Sequence, residues 1–199
     1  VSGVDRARIE AAVNEIILAI GEDPARPGLA KTPTRVADAY AEFFGGLTQD
    51  PLAHLRDSVP IGTDADGSPQ TSDVVLLRGI DFRSVCEHHL LPFVGVVHIA
   101  YLPSDRVVGL GKLPALVDTL SARPQLQERL TEEIADALQE GLDPRGVLVV
   151  LDAVHRCVVA RGSRQASSST VTIASRGSLA EPVARAELMA LIASGGHGV

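Results

Sequence analysis

Phe93-Val94-Gly95-Val96-Val97-His98-Ile99-Ala100-Tyr101-Leu102 is the longest β-forming run in this 199-residue chain. β-Branched and aromatic residues fit a pleated surface, and the run contains neither Pro nor a charged residue, so it reads as a long strand. Working outward, residues 74–77 form a second, shorter β-type run upstream. Downstream the period changes: residues 111–120 and 126–140 read as helices, the second with an apolar stripe at Leu126, Leu130, Ile134 and Leu138 and with Gly141 closing it. A buried strand is predicted to start at 147–151 and continue through 154–159. Residues 170–174 read as a further strand and residues 182–192 as a last helix. Strand, strand, helix, helix, strand, strand is an α+β order built around antiparallel pairs.

The N-terminal third is predicted to be helical. Ile9, Val13, Ile16, Ile17 and Ile20 fall on one helix face, and Gly21 follows as a stop. A Pro- and Gly-rich loop spans 22–31. Thr32 suits an N-cap with Pro33 at the first helical position, which predicts a helix running to about Phe44 before Gly45-Gly46. Residues 48–72, with Gly62, Gly67 and Pro69, show no sustained period and read as a linker with one turn of helix. The expected division is therefore an N-terminal helical region and linker at 1–72 and a main domain at 73–199. There is no internal repeat.

Composition narrows the function. Hydrophobic residues make up 45% of the chain but aromatics only 3%, with no Trp, so the core is expected to be Val, Leu, Ile and Ala. Stacking platforms for single-stranded nucleic acid are missing, and a formal charge of −7 with a pI near 5.3 argues against binding a phosphate backbone. Any anionic ligand must be held by a local cluster of Arg and Lys. No apolar leader or run of about 18 apolar residues is present, so no membrane contact is expected and the chain reads as cytoplasmic.

The chemistry concentrates in two short stretches, Cys86-Glu87-His88-His89 and His155-Arg156-Cys157, which hold both cysteines of the chain. Zinc prefers thiolate and imidazole, and catalytic sites use three protein ligands with a fourth position open. Cys86, His89 and Cys157 could supply those three, leaving His88 and His155 as spare imidazoles for acid–base work. The competing readings are a disulfide or two small core residues. Neither explains the histidines, and structural disulfides are rare in the cytosol. On an extended strand His155 and Cys157 would share a face, so both could reach one site.

Six ordered blocks resemble the GTP cyclohydrolase I family: Thr32-Pro33-Thr34-Arg35-Val36-Ala37, Cys86-Glu87-His88-His89-Leu90, Tyr101-Leu102-Pro103, Val108-Gly109-Leu110-Gly111-Lys112, Gln125-Leu126-Gln127-Glu128-Arg129-Leu130-Thr131, and Asp152-Ala153-Val154-His155-Arg156-Cys157 with Ala160-Arg161-Gly162. The resemblance covers roughly residues 5 to 192. It implies a tunnelling fold, an antiparallel sheet with two helices on one face, assembled into a homodecameric ring with sites at subunit interfaces. It also implies zinc on Cys86, His89 and Cys157 and attack of an activated water at C8 of GTP. Formate then leaves, and the sugar rearranges and closes to 7,8-dihydroneopterin triphosphate, a pterin and tetrahydrofolate precursor.

Within that resemblance, His155 is expected to pass a proton to the ring nitrogen and His88 to partner the water or the ribose. Glu128 is expected to read guanine, because one carboxylate accepts from both the ring N–H and the exocyclic amine; an acid in the first turn of a helix is also favoured by the dipole alone. Gln127 is a second candidate for that pocket. Lys112, Arg161 and Arg35 are expected to hold the triphosphate, with Arg164 nearby. Three positions depart from the family pattern: Asp38 replaces a Lys, Ala115 an Arg and Gly111 a Ser, a loss of two cations and a gain of one anion. Two alternatives to GTP hydrolysis follow. One is a divergent enzyme opening a less phosphorylated or ring-modified guanine nucleotide. The other is a non-catalytic binding subunit stapled by zinc, in which His88 or His155 would have to complete the metal shell.

Overall fold

The computed structural model describes residues 3–62, 73–162, 164–165 and 167–194; residues 63–72 of the expected linker lie outside them. Two N-terminal helices come first. Helix α1 (Arg6–Ala19) starts where the Asp5 carboxylate accepts from the Arg8 backbone N–H at 3.1 Å. Helix α2 (Thr32–Phe43) carries Pro33 in its first turn, one position further in than expected because Lys31 occupies the cap. Only Val13 and Ile17 of the α1 stripe are buried; Ile16 and Ile20 are 58% and 72% exposed. A 3-10 turn, Pro51–Leu55, is capped by Asp50, and a two-residue strand β1 (Val59–Pro60) follows.

The main sheet is formed by β2 (Val75–Cys86) and β3 (Pro92–Leu102), then, after β4 (Arg106–Val107) and helix α3 (Lys112–Ser121), by β5 (Pro124–Gln125). Helix α4 (Gln127–Leu142) leads to β6 (Gly146–His155), the single helical turn α5 (Arg156–Val159), β7 (Thr170–Gly177) and helix α6 (Pro182–Ser194). The strand order is β5-β2-β3-β6-β7, antiparallel except for the short β2–β5 pair, while β1 and β4 form a separate ribbon. This is an α+β architecture with α3 and α4 packed on one face. Val97, Ile99 and Tyr101 of β3 and Val147, Val149 and Leu151 of β6 meet Leu116, Val117, Leu130, Ile134 and Leu138 there, all buried. On the other face Ala100, Leu148 and Val150 are covered by Leu179 and by Leu188 of α6. Among the described residues no helix is long and apolar enough to cross a membrane.

Four expectations are corrected. The short run at 74–77 belongs to a strand that continues to Cys86, with a bulge between Leu77 and Ile80 at the left-handed Gly79 (φ 71°). The strand predicted through 154–159 ends at His155, so Cys157 sits on the helical turn of α5 and not on an extended face. His98, which between Val97 and Ile99 reads as a packed core histidine, instead lies half-buried on the sheet face away from α3 and α4, where its Nδ1 accepts from the Gly79 N–H at 3.3 Å. Gly141 does not end α4, which continues to Leu142 and stops at the left-handed Asp143 (φ 43°).

Gly141 is instead a packing position. A Cβ there would lie 2.5 Å from Leu55 Cδ1 and 3.0 Å from Leu55 Cβ, and Leu55 is 1% exposed in the main core. Gly141→Ala gains about 1 kcal/mol of helix propensity against an overpacking cost of about 1–3 kcal/mol. Urea unfolding is expected to show a net loss of stability for Gly141→Ala alone, and a gain when the same change is made in a Leu55→Ala background. A stabilised single variant would show that Leu55 yields freely.

Candidate metal centre and active site

Strand β2 delivers Cys86 to the end of the sheet, where its N–H donates to Leu91 O at 2.9 Å and its C=O accepts from the Leu90 N–H at 2.9 Å. Leu90 closes this tight loop in the left-handed region (φ 51°), an uncommon conformation for a branched residue. The loop brings His89 back over the strand end, with Nδ1 4.0 Å from Cys86 Sγ. From the other side, β6 ends at His155 and α5 turns Cys157 toward Cys86. The donor atoms of Cys86, His89 and Cys157 all lie within 4.8 Å of one another. A tetrahedral ion with bonds of about 2.0 to 2.3 Å needs its ligand atoms about 3.5–3.8 Å apart. The set is thus nearly formed. Neither His88 nor His155 belongs to it.

The Cys157 thiol responds to this crowding. Burial pushes the Cys157 thiol up, and the nearby Cys86 sulfur pushes it further, while the Arg161 guanidinium acts weakly in the opposite direction. Two sulfurs held close together resist losing both protons unless a cation joins them. Both cysteines are free of disulfide. Two thiols and an imidazole fit a borderline-soft divalent metal.

His155 lies on the helix-covered face of β6, opposite Phe93 of β3. The two rings stack at 4.6 Å with an interplanar angle of 3°. His155 Nε2 is 2.8 Å from Gln127 Oε1. Gln127 is 1% exposed, and its Nε2 donates toward Thr170 O at 2.8 Å, Thr172 Oγ1 at 3.1 Å and Leu151 O at 3.4 Å. Two of these acceptors are carbonyls, which cannot donate, so the amide can face only one way and its oxygen must meet an N–H. Hence His155 carries its proton on Nε2. The Thr172 hydroxyl lies 2.6 Å from Thr131 Oγ1, which donates to Gln127 O at 2.7 Å, so this buried ring of bonds is closed. Burial lowers the His155 pKa and the Glu128 carboxylate partly opposes this, so the neutral ring is favoured.

One cleft of about 510 Å³ is lined by Cys86, His88, His89, Gln127, Glu128, His155 and Cys157. Glu128 is exposed in the first turn of α4, as expected of an acid free to meet a ligand. Gln127, expected to share in binding, has its amide occupied by the bonds above. The expected phosphate cations do not line the cleft. Lys112 Nζ pairs with Asp57 at 2.8 Å, Arg35 lies on α2, and Arg161 is exposed beyond α5. Of the departures, Asp38 pairs with Arg6 at 2.8 Å across α1 and α2, which offsets its charge locally. Ala115 lines a different cleft with His54, Arg83 and Glu42. Sequence reasoning missed the closed ring of hydrogen bonds around Gln127.

Metal binding here must displace thiol protons. A thiol with a raised pKa stays protonated as pH falls, so affinity is lost toward low pH and gained toward high pH. Titration with Co²⁺ is expected to give sulfur-to-metal charge-transfer absorption, and affinity is expected to rise at least tenfold from pH 6 to pH 8. Cys157→Ala is expected to abolish the band. A pH-independent affinity, or an unchanged band in the variant, would exclude Cys157 as a ligand.

Comparison with known proteins agrees with these features. The family model for GTP cyclohydrolase I matches residues 9–193. A protein of Leifsonia xyli named GTP cyclohydrolase 1 is 62% identical over 194 residues, covering 98% of each chain. Proteins of the same name from Carboxydothermus hydrogenoformans and Streptomyces avermitilis are 51% and 48% identical; they align with 95% and 94% of this chain and with 95% and 90% of their own lengths. The chain belongs to the GTP cyclohydrolase I family.

Proposed function

We propose that the protein is a zinc-dependent cyclohydrolase that opens the imidazole ring of GTP at C8, releases formate and yields 7,8-dihydroneopterin triphosphate. The observation that carries this reading is the convergence in one cleft of a three-ligand metal set, a histidine of fixed tautomer and an exposed carboxylate. Cys86, His89 and Cys157 would hold Zn²⁺, which supplies Lewis acidity that makes water nucleophilic near neutral pH.

The protein's own residues then do the following. Phe93 and Gln127 hold the His155 ring in plane and commit Nε2–H to the amide oxygen. Proton exchange therefore runs through Nδ1, which takes a proton from the attacking water and returns it to the ring nitrogen as the C8–N bond breaks. A neutral imidazole at rest suits that order of events. Gln127 is a positioning residue in this scheme, not a ligand for the base. Glu128 accepts two hydrogen bonds from guanine, and His88, on the same cleft wall, serves the water or the ribose.

The chain offers these groups on a tunnelling fold, we infer, with the helical region and linker at 1–72 and the catalytic domain at 73–199. Leu52 and Leu55 of the first segment pack into the core of the second. Assembly into a homo-oligomeric ring, a decamer by analogy, is supported by exposed Ile16 of α1 and Ile20 at its C-cap and by exposed Val171 and Ile173 on the edge strand β7. Lys112, Arg35 and Arg161 would reach a neighbour's phosphates in such a ring. Two free cysteines in one metal set fit a cytoplasmic location.

The test is formate release by the zinc-loaded protein from GTP, GDP, GMP and guanosine in parallel. GTP is expected to be the best substrate, Glu128→Gln to lower kcat/KM about 100-fold or more, as for a site built to pair a substrate N–H, and the active species to have a mass several times 20.9 kDa. Release only from less phosphorylated compounds would mark a divergent enzyme. No release from any of them would leave a binding protein, and an active monomer would overturn the ring.

A further inference from the structure

We infer that Glu87 and Arg129 form a positioning pair that locks the metal-ligand turn to the end of α4 carrying Glu128. Glu87 sits between Cys86 and His88, and Arg129 directly follows Glu128. Arg129 Nη1 donates to Glu87 Oε2 at 2.7 Å and Nη2 to Glu87 Oε1 at 3.1 Å, a bidentate fork. Beside the fork, Cys86 pairs with Gln125 in the short parallel ladder, and the Glu87 N–H donates to Gln125 O at 3.0 Å. Gln125, 1% exposed, is itself tied to α4 through Nε2 to Glu133 Oε2 at 2.7 Å. The turn that bears Cys86 and His89 is thus fastened to the residues around Glu128 by the backbone ladder at Gln125 and by one side-chain fork.

The fork supplies what the backbone bonds lack. The backbone bonds of the turn, Cys86 N–H to Leu91 O, Leu90 N–H to Cys86 O and Glu87 N–H to Gln125 O, tie it to its own strands and to β5, and none of them reaches α4 itself. Two parallel N–H···O bonds fix direction as well as distance, which a single charge contact does not. The Arg129 and Glu87 side chains are 45% and 29% exposed, so the pair contributes little to global stability. Its use is geometric: a misplacement of about 1 Å between a reacting centre and its binding group can cost about 100-fold in rate. Neither residue is required to touch substrate.

The activity arm of the test rests on the cyclohydrolase reading; the metal arm does not. Glu87→Gln, Arg129→Gln, the double variant and Arg129→Lys are compared for Co²⁺ affinity by chelator competition, for kcat and KM of formate release, and for urea midpoint. Each Gln variant is expected to lose about 10-fold or more in Co²⁺ affinity and about 10–100-fold in kcat, with the urea midpoint unchanged. The double variant is expected to be no worse than the weaker single, because one interaction is removed only once. Arg129→Lys keeps the charge and loses the fork, so it should recover little. Additive losses in the double, full recovery by Lys, or losses that only follow a lowered urea midpoint would each overturn the pair. If the wild type releases no formate, the cyclohydrolase reading fails and the metal-affinity cycle alone decides.

Discussion

The antiparallel register that sets Phe93 of β3 opposite His155 of β6 governs both the core and the site. Side chains alternate across a sheet, so a slip of one residue would move every inward group to the other face. Val147, Val149 and Leu151 would leave the helices, and His155 would leave Gln127. On the other flank of β3, Val85 pairs with Pro92, which places Cys86 at the same end of the sheet. The hydrophobic pattern that holds the fold is thus the same one that gathers the candidate ligands, so core packing also fixes the cleft.

Much of the candidate site was legible because its residue types are rare in combination. Two cysteines, each within three residues of a histidine, point to a metal-ligand set before any fold is known. The central strand and α4 were legible by their periods. What was hidden depends on distant partners. Gln127 meets carbonyls 24 and 43 residues away, and backbone oxygens leave no mark in a sequence. Gly141 looked like a stop because its true reason, Leu55, lies far upstream. The alternation of Ile80, Phe82, Ser84 and Cys86 was available as a strand signal, but charged Arg78, Asp81 and Arg83 on the outer side and the bulge at Gly79 broke the run into pieces.

The residues proposed to hold phosphate have a different character from the candidate metal set. Within one chain Lys112 is paired with Asp57 and Asp38 with Arg6, while Ala115 faces a cleft of its own. Exposed pairs of this kind exchange partners at little cost. A polyphosphate could therefore recruit Lys112 from Asp57 without penalty to the fold, whereas the buried ring of bonds around Gln127 has no such freedom. In the proposed scheme ring opening would rest on rigid parts and phosphate binding on exchangeable ones.

The most direct test of an open, catalytic metal centre is X-ray absorption of the zinc-loaded protein. The expected shell is two sulfurs at about 2.3 Å, one imidazole nitrogen at about 2.0 Å and one further light atom without imidazole scattering. A shell with two sulfurs and two imidazoles would mean that His88 or His155 closes the fourth position, and it would contradict the assignment of those residues to proton transfer.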